Sequence, residues 1–276
     1  KRSTKKRFAR STKPTTKSRG PTLRMHVEQI VAHYREHGFA HVPGVVGQEV
    51  LAGLRARADD IMHGRVVHEG LFFQLDSTTG KFYDLEFGNG WQGPSDNYRK
   101  IEKLERDPLF HEFLQSATFE GIVRAVIEGD VAIYRAILMT KAARGGTVLP
   151  FHQDAGKFWG LDRDPPIQIW TALDDAPLEA GCVEVLPGSH KAGLVTPLGG
   201  LVPEHALVDE RDVEARVVKV PARAGDLIVL HNHVWHRSGV NTTPHTRRAF
   251  SVCYMSAETK CMRKKRAPRS FTRVFS

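Results

Sequence analysis

The chain has 276 residues, of which 41% are hydrophobic and 14 are phenylalanine. This length and composition suffice for a large buried core and exclude a wholly disordered protein. The net charge of +9 would suggest a nucleic-acid partner, but residues 1–20 alone carry +9, residues 256–276 carry +6, and residues 21–255 carry −6. The basic character belongs to the two ends, so we do not expect the acidic body to bind nucleic acid.

Three cysteines without paired spacing argue against a disulfide framework or a zinc ribbon and favour a reducing, cytoplasmic location. No apolar run approaches the roughly 20 residues that cross a bilayer, so we expect no membrane span. Residues 1–20 lack the apolar segment of a secretory signal and predict a basic, disordered tail. Residues 256–276 predict a second basic tail, and either tail could contact an anionic partner weakly.

Helical patterns dominate the sequence from 21 to 130. Residues 23–37 and 49–63 carry apolar side chains at helical spacing, with a short predicted strand between them. Asp107-Pro108 opens a further helical region that ends near residue 129. Residues 69–98 are rich in Gly, Asn, Asp and aromatic residues, which predicts hairpins and loops.

From residue 131 the pattern changes to short apolar or alternating runs separated by turn signals. Such runs predict a mainly β core over 131–255, as a sandwich, jelly roll or barrel. Together with the flanking helices this makes one domain over 21–255. Residues 197–212 form a long insertion, and we expect them and residues 64–100 to lie in loops that select the substrate.

A candidate metal site begins with His152-Gln153-Asp154. Residues two apart on a strand point to one face, so the His152 imidazole and the Asp154 carboxylate could bind one metal ion. The third ligand is expected from His231, His233 or His236, and periodicity does not decide among them. Two histidines and one carboxylate leave three coordination positions open, which suits non-haem Fe(II) oxygenases, whereas a structural zinc site is closed.

Arg247 lies one predicted strand after the histidine segment. The open metal positions could hold a 2-oxo acid and O₂, and Arg247 could clamp the distant carboxylate of that acid in two parallel hydrogen bonds. The adjacent Arg248 is the alternative clamp. Lys141 and Arg144 lie just before the metal motif and could meet an anionic substrate, although a solvated face is the commoner environment for such residues.

The motifs taken together resemble the phytanoyl-CoA dioxygenase family of Fe(II)- and 2-oxoglutarate-dependent oxygenases, over about residues 25–255. The shared pattern is H-x-D, a tryptophan eighteen residues later, P-G-S-H, and H-x-S-x-x-N with an arginine at plus eleven. The resemblance implies a double-stranded β-helix, a cupin-like jelly roll. It also implies a catalytic iron site and a 2-oxoglutarate site, with iron ligands His152, Asp154 and His236, and 2-oxoglutarate contacts Arg247, Ser238 and Trp170.

The activity implied by the resemblance is hydroxylation of an unactivated C–H bond in a small molecule. Fe(II), 2-oxoglutarate and O₂ would be used, and succinate and CO₂ released; the substrate could be an acyl-CoA, an amino acid or a specialised metabolite. Asp154 favours hydroxylation because related halogenases carry a small residue in its place. Three residues that follow the ligand pair are candidate substrate contacts, namely Lys157, Phe158 and Trp159.

Two alternatives stay open at the level of the sequence. One is a β-helix that binds a ligand without turnover, against which the complete ligand set counts. The other is an oxygenase acting on a substrate associated with nucleic acid. Nucleic-acid demethylases of this kind carry a second arginine six residues after the first, whereas here Cys253 and Tyr254 lie six residues after Arg247 and Arg248.

Overall fold

The structure is a computed structural model that describes residues 21–207, 210–264 and 269–276, with the side chains of residues 21–25 and 210 left out. The basic tail predicted over residues 1–20 lies outside the described residues. The helices are α1 (Pro21–His37), α2 (Gln48–Met62), α3 (Pro108–Leu114), α4 (Ala117–Arg124) and α5 (Glu210–Arg216). The strands are β1 (Phe39–Val42), β2 (Phe72–Leu75), β3 (Tyr98–Glu102), β4 (Val131–Lys141), β5 (Leu149–Gln153), β6 (Ile167–Ala172), β7 (Val183–Leu186), β8 (Gly200–Leu201), β9 (Val218–Val220), β10 (Leu227–His231), β11 (Trp235–Ser238), β12 (Arg247–Ser256) and β13 (Arg273–Phe275).

Two antiparallel sheets pack against each other. The larger has the strand order β1-β10-β6-β12-β4-β3-β2, with β13 also paired to β4, and the smaller has the order β8-β5-β11-β7-β9. Successive side chains of β6 point to opposite faces of the larger sheet. Ile167 and Ile169 join the core beneath the helices, whereas Trp170 packs toward the smaller sheet with Val183 and Val185. The predicted jelly roll with flanking helices is confirmed.

Helices α1 to α4 cover the outer face of the larger sheet. Tyr34, Leu51, Phe110 and Phe119 belong to the same buried cluster as Phe250 of β12. This apolar layer leaves the inner face of the larger sheet free to carry polar groups, and those groups form the site described below.

The larger sheet takes strands from both sides of residue 131, where the sequence pattern changes. β1 pairs with β10, and the β2–β3 hairpin continues the larger sheet beside β4. The sequence predicts a short strand where β1 lies and hairpins within residues 69–98, but a pattern of four or five residues does not show that these strands join the larger sheet.

The segment 256–276, predicted as a basic tail, contributes a strand to the larger sheet. β13 pairs with β4, and Phe275 is 5% exposed and stacks on Tyr254 with ring centroids 5.9 Å apart. Lysine and arginine are frequent in this segment, so its few apolar residues give no clear strand pattern in the sequence.

Asp107 joins three elements beneath the sheet and should contribute strongly to stability. Its fully buried carboxylate accepts the Leu109 and Phe110 backbone N–H groups at the start of α3, and it contacts Arg57 at 2.7 Å and His68 at 2.8 Å. We expect Asp107→Ala to lower the free energy of unfolding by about 3 kcal/mol, because the cap is lost and Arg57 and His68 both lose their carboxylate partner. Urea unfolding followed by circular dichroism would measure the change.

The Asp107 contribution should also depend on pH. Burial acts to raise the pKa of this carboxyl, but hydrogen bonds from Arg57 and His68 outweigh burial and hold the pKa below its ordinary value. The stabilisation is therefore present above the ordinary carboxyl pKa and is lost as pH falls through the lower, folded value. Asp130→Ala, which removes an exposed partner of Arg273, is the control and should change stability much less. Equal effects of the two variants would contradict the prediction.

Candidate active site

Two neighbouring strands of the smaller sheet bring three potential metal ligands together. His152 of β5 lies directly opposite His236 of β11, and their ring centroids are 4.0 Å apart. Asp154 follows β5, and its Oδ2 is 3.6 Å from His236 Nε2. One donor atom from each residue lies within 4.8 Å of the others, and no second group of three metal-binding side chains this close occurs within the described part of the chain.

Backbone carbonyls orient both imidazoles. His152 Nδ1 lies 2.9 Å from the Pro150 carbonyl oxygen, and His236 Nδ1 lies 3.0 Å from the Val234 carbonyl oxygen. Because a carbonyl only accepts, Nδ1 carries the proton and Nε2 presents a lone pair to the shared space. Burial, together with His236, lowers the pKa of His152 to about 3, so this ring is neutral and able to coordinate at physiological pH.

The Asp154 carboxylate is held by two partners that the sequence did not single out. Arg135 of β4 donates to Oδ1 at 2.9 Å, and Gln168 of β6 donates to Oδ2 at 2.8 Å. Burial acts to raise the pKa of Asp154, but Arg135 outweighs it and holds the pKa well below the ordinary value. The carboxylate is therefore ionised and fixed in orientation, as a metal ligand requires.

The two other histidines that competed for the third position face elsewhere. His233 contacts Asp164 at 2.9 Å, and His231 lies in β10 of the larger sheet, near Tyr34 and His190. A turn after β10 moves the chain from one sheet to the other. This change of sheet, which strand parity could not show, brings His236 close to His152 and Asp154.

A cavity of about 530 Å³ connects the three potential ligands with Arg247. Arg247 is 4% exposed and donates to the Gly181 carbonyl oxygen at 3.1 Å, while its Nε has no partner. Gly181 has φ of +65°, and a Cβ there would collide with the Gly239 carbonyl oxygen, so glycine is required next to Arg247. Burial lowers the pKa of Arg247 to about 10, which still leaves the guanidinium charged at pH 7.

The other two predicted 2-oxoglutarate contacts line the same cavity. Ser238 lies two residues beyond His236 on β11, and Trp170 is 4% exposed with its ring 5.7 Å from the Arg247 guanidinium carbon. Arg248 projects away and pairs with Asp174 at 2.8 Å and Asp59 at 2.5 Å. The structure thus places Arg247, and not Arg248, at the cavity.

The three predicted substrate contacts are not among the described residues that line this cavity. Lys157 and Phe158 are exposed on a short 3-10 turn, and Trp159 is buried against Tyr134 with ring centroids 4.3 Å apart. The Arg135 guanidinium carbon lies 4.4 Å from the Trp159 ring centroid. Trp159 therefore supports the arginine that holds Asp154, and substrate contact by these three residues stays a prediction.

The mouth of the cavity is formed by the segment between β2 and β3 and by β3 itself. Phe82, Tyr83 and Phe87 line it, although Tyr83 and Phe87 are 82% and 89% exposed. Arg99 and Lys100 add positive charge from β3. The sequence indicated this region only as an aromatic-rich loop that selects the substrate. Residues 197–207, from the other segment expected to do so, do not line the cavity.

The residues present fit an iron ion and a 2-oxo dicarboxylate. Two imidazole nitrogens and one carboxylate meet on one side of the cavity, the donor set of open non-haem iron sites. A buried guanidinium with an unpaired Nε lies in the wall of the same cavity, where it could bind a carboxylate. Among the helices of the described residues, none combines the length and apolar character that crossing a membrane requires.

Comparison with known proteins gives matches over most of the chain. Residues 34–249 match the sequence model of a family described as phytanoyl-CoA dioxygenase (PhyH). A phytanoyl-CoA dioxygenase domain-containing protein 1 from Danio rerio is 24% identical over 264 residues, which cover 84% of this chain and 90% of that protein.

Solved structures are similar in fold. The epimerase SnoN, in complex with Fe3+, alpha-ketoglutarate and nogalamycin RO, superposes with a TM-score of 0.65 at 22% identity, over 88% of each chain. EctD from S. alaskensis, with 2-oxoglutarate and 5-hydroxyectoine, gives a TM-score of 0.67 at 18% identity and covers 87% of this chain and 80% of its own. At these identities the likeness shows a shared fold.

Proposed function

The chain belongs to the phytanoyl-CoA dioxygenase family, and from this premise we propose that it hydroxylates a C–H bond of a small molecule. The family comprises 2-oxoglutarate-dependent oxygenases, so the cofactors are Fe(II) and 2-oxoglutarate, with O₂ as oxidant. Bound iron with its co-substrate would supply the oxidising power, and succinate and CO₂ would leave as products. The observation that carries the proposal is the meeting of His152, Asp154, His236 and Arg247 in one cavity.

Each of these residues has a task that follows from its surroundings. His152, Asp154 and His236 would hold the iron through Nε2, a carboxylate oxygen and Nε2. Arg247, with Ser238 beside it, would bind the distal carboxylate of 2-oxoglutarate, since a guanidinium matches a carboxylate with two parallel hydrogen bonds. The buried position of Arg247 excludes water and strengthens that attraction.

Arg135, Gln168 and Trp170 would complete the site. Arg135 and Gln168 hold the two Asp154 oxygens and so fix the direction in which the carboxylate presents its remaining lone pairs. Ser251 in turn donates to Gln168 Oε1 at 3.2 Å. Trp170 forms a wall beside Arg247 and limits the space open to the co-substrate.

The cavity mouth supports a small-molecule substrate with an apolar part. Exposed aromatic side chains such as Phe87 lose contact with water when an apolar ligand covers them. An acyl-CoA, an amino acid or a specialised metabolite all stay within the proposal. The acidic body disfavours a substrate associated with nucleic acid, and the complete ligand set disfavours a binding module without turnover. We also propose a cytoplasmic location, on the strength of the three unpaired cysteines.

The proposal is tested by adding 2-oxoglutarate to the Fe(II)-loaded protein without oxygen, followed by turnover in air. We expect a weak visible charge-transfer band to develop, and candidate substrates to stimulate succinate release with a product heavier by one oxygen atom. A product isomeric with its substrate would indicate epimerisation instead. Absence of both the band and succinate would refute the oxygenase proposal, whereas a band without stimulated succinate across the substrates would favour the binding module.

A further inference from the structure

Three short segments that do not line the cavity meet at one surface of the protein. The Phe158 N–H donates to the Leu198 carbonyl oxygen at 3.2 Å, and the Met262 N–H donates to the Gly160 carbonyl oxygen at 2.8 Å. The segments that carry Phe158 and Leu198 were both expected to meet the substrate. Because neither is among the described residues that line the cavity, their exposed side chains call for another explanation.

Each of these segments presents one large apolar side chain to solvent. Phe158, Leu198 and Met262 are 74%, 63% and 55% exposed. Single exposed apolar residues are common on proteins, whereas several that are brought together from distant parts of the chain mark an interaction surface. We call these three side chains the apolar patch.

Four cations adjoin the apolar patch along the chain, namely Lys157, Lys260, Arg263 and Lys264. Within the described part of the chain, none of the four forms an ion pair with a carboxylate, and the Arg263 guanidinium instead donates to the Phe158 carbonyl oxygen at 2.8 Å. Two acids lie in the same segments: Glu258 is 3.6 Å from the Arg163 guanidinium, and Asp162 Oδ1 accepts a backbone N–H at 2.8 Å. The surface around the patch therefore keeps an excess of positive charge.

A basic recess of about 310 Å³ shares Lys260 with this surface. Arg269 and Arg273 also line the recess, and Arg273 pairs with the exposed Asp130 at 3.0 Å. Thr259 lines it as well; this residue is 6% exposed, and its hydroxyl has no hydrogen-bond partner. Guanidinium and ammonium groups beside an unsatisfied hydroxyl are the donors that a phosphate group accepts from.

We propose that this surface binds an anionic lipid bilayer, with the apolar patch inserted at the level of the acyl chains and a phosphate headgroup held in the basic recess. Lysine and arginine are attracted to anionic lipids, and apolar side chains gain free energy when they leave water for the membrane interface. Binding of this kind is peripheral and needs no membrane-spanning helix. The inference is independent of the proposed function.

Two other partners fit this surface less well. In a symmetric dimer the same patch faces itself, so the cations of one copy would lie against those of the other. A nucleic acid would attract the cations, but its bases stack on aromatic rings, which Leu198 and Met262 lack. A bilayer engages the charged and the aliphatic side chains at once.

The first measurement is co-sedimentation of the full chain with phosphatidylcholine vesicles, with and without about 30% phosphatidylserine. We expect the wild type to bind the phosphatidylserine vesicles about tenfold more tightly or better. Phe158→Ser combined with Met262→Ser should weaken this binding about tenfold, because the inserted apolar surface is lost. Lys260→Glu should weaken it by a similar factor, because an attracted charge becomes a repelled one.

Matched control variants change equally exposed residues in other segments. Val67→Ser combined with Leu178→Ser removes apolar side chains that are 79% and 51% exposed, and Lys219→Glu reverses an exposed charge on β9. Neither control should change vesicle binding by more than about twofold, because charges beyond a Debye length from the membrane are screened.

A second measurement separates the apolar patch from the basic N-terminal segment. Residues 1–20 carry +9 and could hold the chain on anionic vesicles by charge alone. We expect the added fluorescence of Phe158→Trp, relative to the wild type, to shift to shorter wavelength on the vesicles and to be quenched by lipids brominated on their acyl chains. Val67→Trp should show neither effect. Both substitutions replace exposed side chains, so the fold should be retained.

Several results would overturn the proposal. Wild type that does not bind the phosphatidylserine vesicles would do so directly, and binding without quenching that survives the patch substitutions would assign it to residues 1–20. Self-association that these substitutions abolish, without vesicle binding, would indicate a second copy as the partner. Patch-dependent binding of a DNA oligonucleotide that is tighter than vesicle binding would indicate nucleic acid. The charge-transfer band of the iron site is measured without vesicles, so the proposed function is tested separately.

Discussion

Replacing Asp154 by alanine should abolish succinate formation and weaken Fe(II) binding by more than about a hundredfold. Removing a group that only supports a metal ligand costs up to about a hundredfold in metal affinity, and removing a ligand itself should cost more. Asp154 supplies the only anionic oxygen in the cluster with His152 and His236. Its loss leaves two imidazoles, a donor pair that holds a divalent cation weakly. The measurements are anaerobic Fe(II) titration, the visible band with 2-oxoglutarate, and succinate release.

The Asp154 variant also strands a buried cation, so its fold must be followed separately. Arg135 would lose its carboxylate partner, and thermal unfolding would show the resulting destabilisation. Asp164→Asn is a matched control, because it changes a nearby carboxylate that pairs with His233 outside the ligand group. We expect this control to bind iron as the wild type does. A folded Asp154→Ala protein with wild-type iron affinity would show that the metal group is wrongly assigned.

The candidate site was largely predictable because its motifs lie on short, regular strands. The two-residue period of a strand places His152 and Asp154 on one face, and the spacing to Arg247 places a guanidinium one strand further along. The choice of His236 needed the family resemblance, because strand parity treats β10 and β11 as one continuous element. The turn between them, which switches sheets, is a tertiary feature.

The groups that hold Asp154 could not be predicted in the same way. Arg135, Gln168 and Ser251 come from β4, β6 and β12, and the register of the larger sheet decides which of their side chains meet. Periodicity shows which face a residue occupies but not which residue of a distant strand lies beside it. The same limit concealed the proximity of Lys141 and Arg247, which are partners across β4 and β12 but lie over a hundred residues apart.

Basic residues misled the sequence interpretation at two positions, because both were expected to be exposed and both are buried. Phe275 lies in a segment dominated by lysine and arginine, yet it is buried and extends the larger sheet. Lysine is usually exposed on protein surfaces, yet Lys141 is buried beside the site. Charge alone predicts solvent exposure well only where no buried cavity or ligand can accept the charged group.

Replacing Arg247 by methionine should raise the Michaelis constant for 2-oxoglutarate about a hundredfold while iron affinity stays within about twofold of wild type. The guanidinium is buried, and its Nε is free to donate to a carboxylate without losing another bond. A charge-assisted hydrogen bond in such a site is shielded from water, so its loss is costly. Methionine retains most of the length and apolar contact with Trp170. Steady-state kinetics and anaerobic titration of the visible band with 2-oxoglutarate would measure the effect.

The adjacent arginine provides the control for this prediction. Arg248→Met removes the same charge one residue further on, but its guanidinium pairs with Asp174 and Asp59 outside the cavity. It should lower stability while leaving the 2-oxoglutarate constant near wild type. Arg247→Lys should recover only part of the loss, since an ammonium retains the charge but lacks the planar fork that matches a carboxylate. Equal increases in the constant for Arg247→Met and Arg248→Met would indicate a general structural effect and contradict the clamp, because only Arg247 faces the cavity.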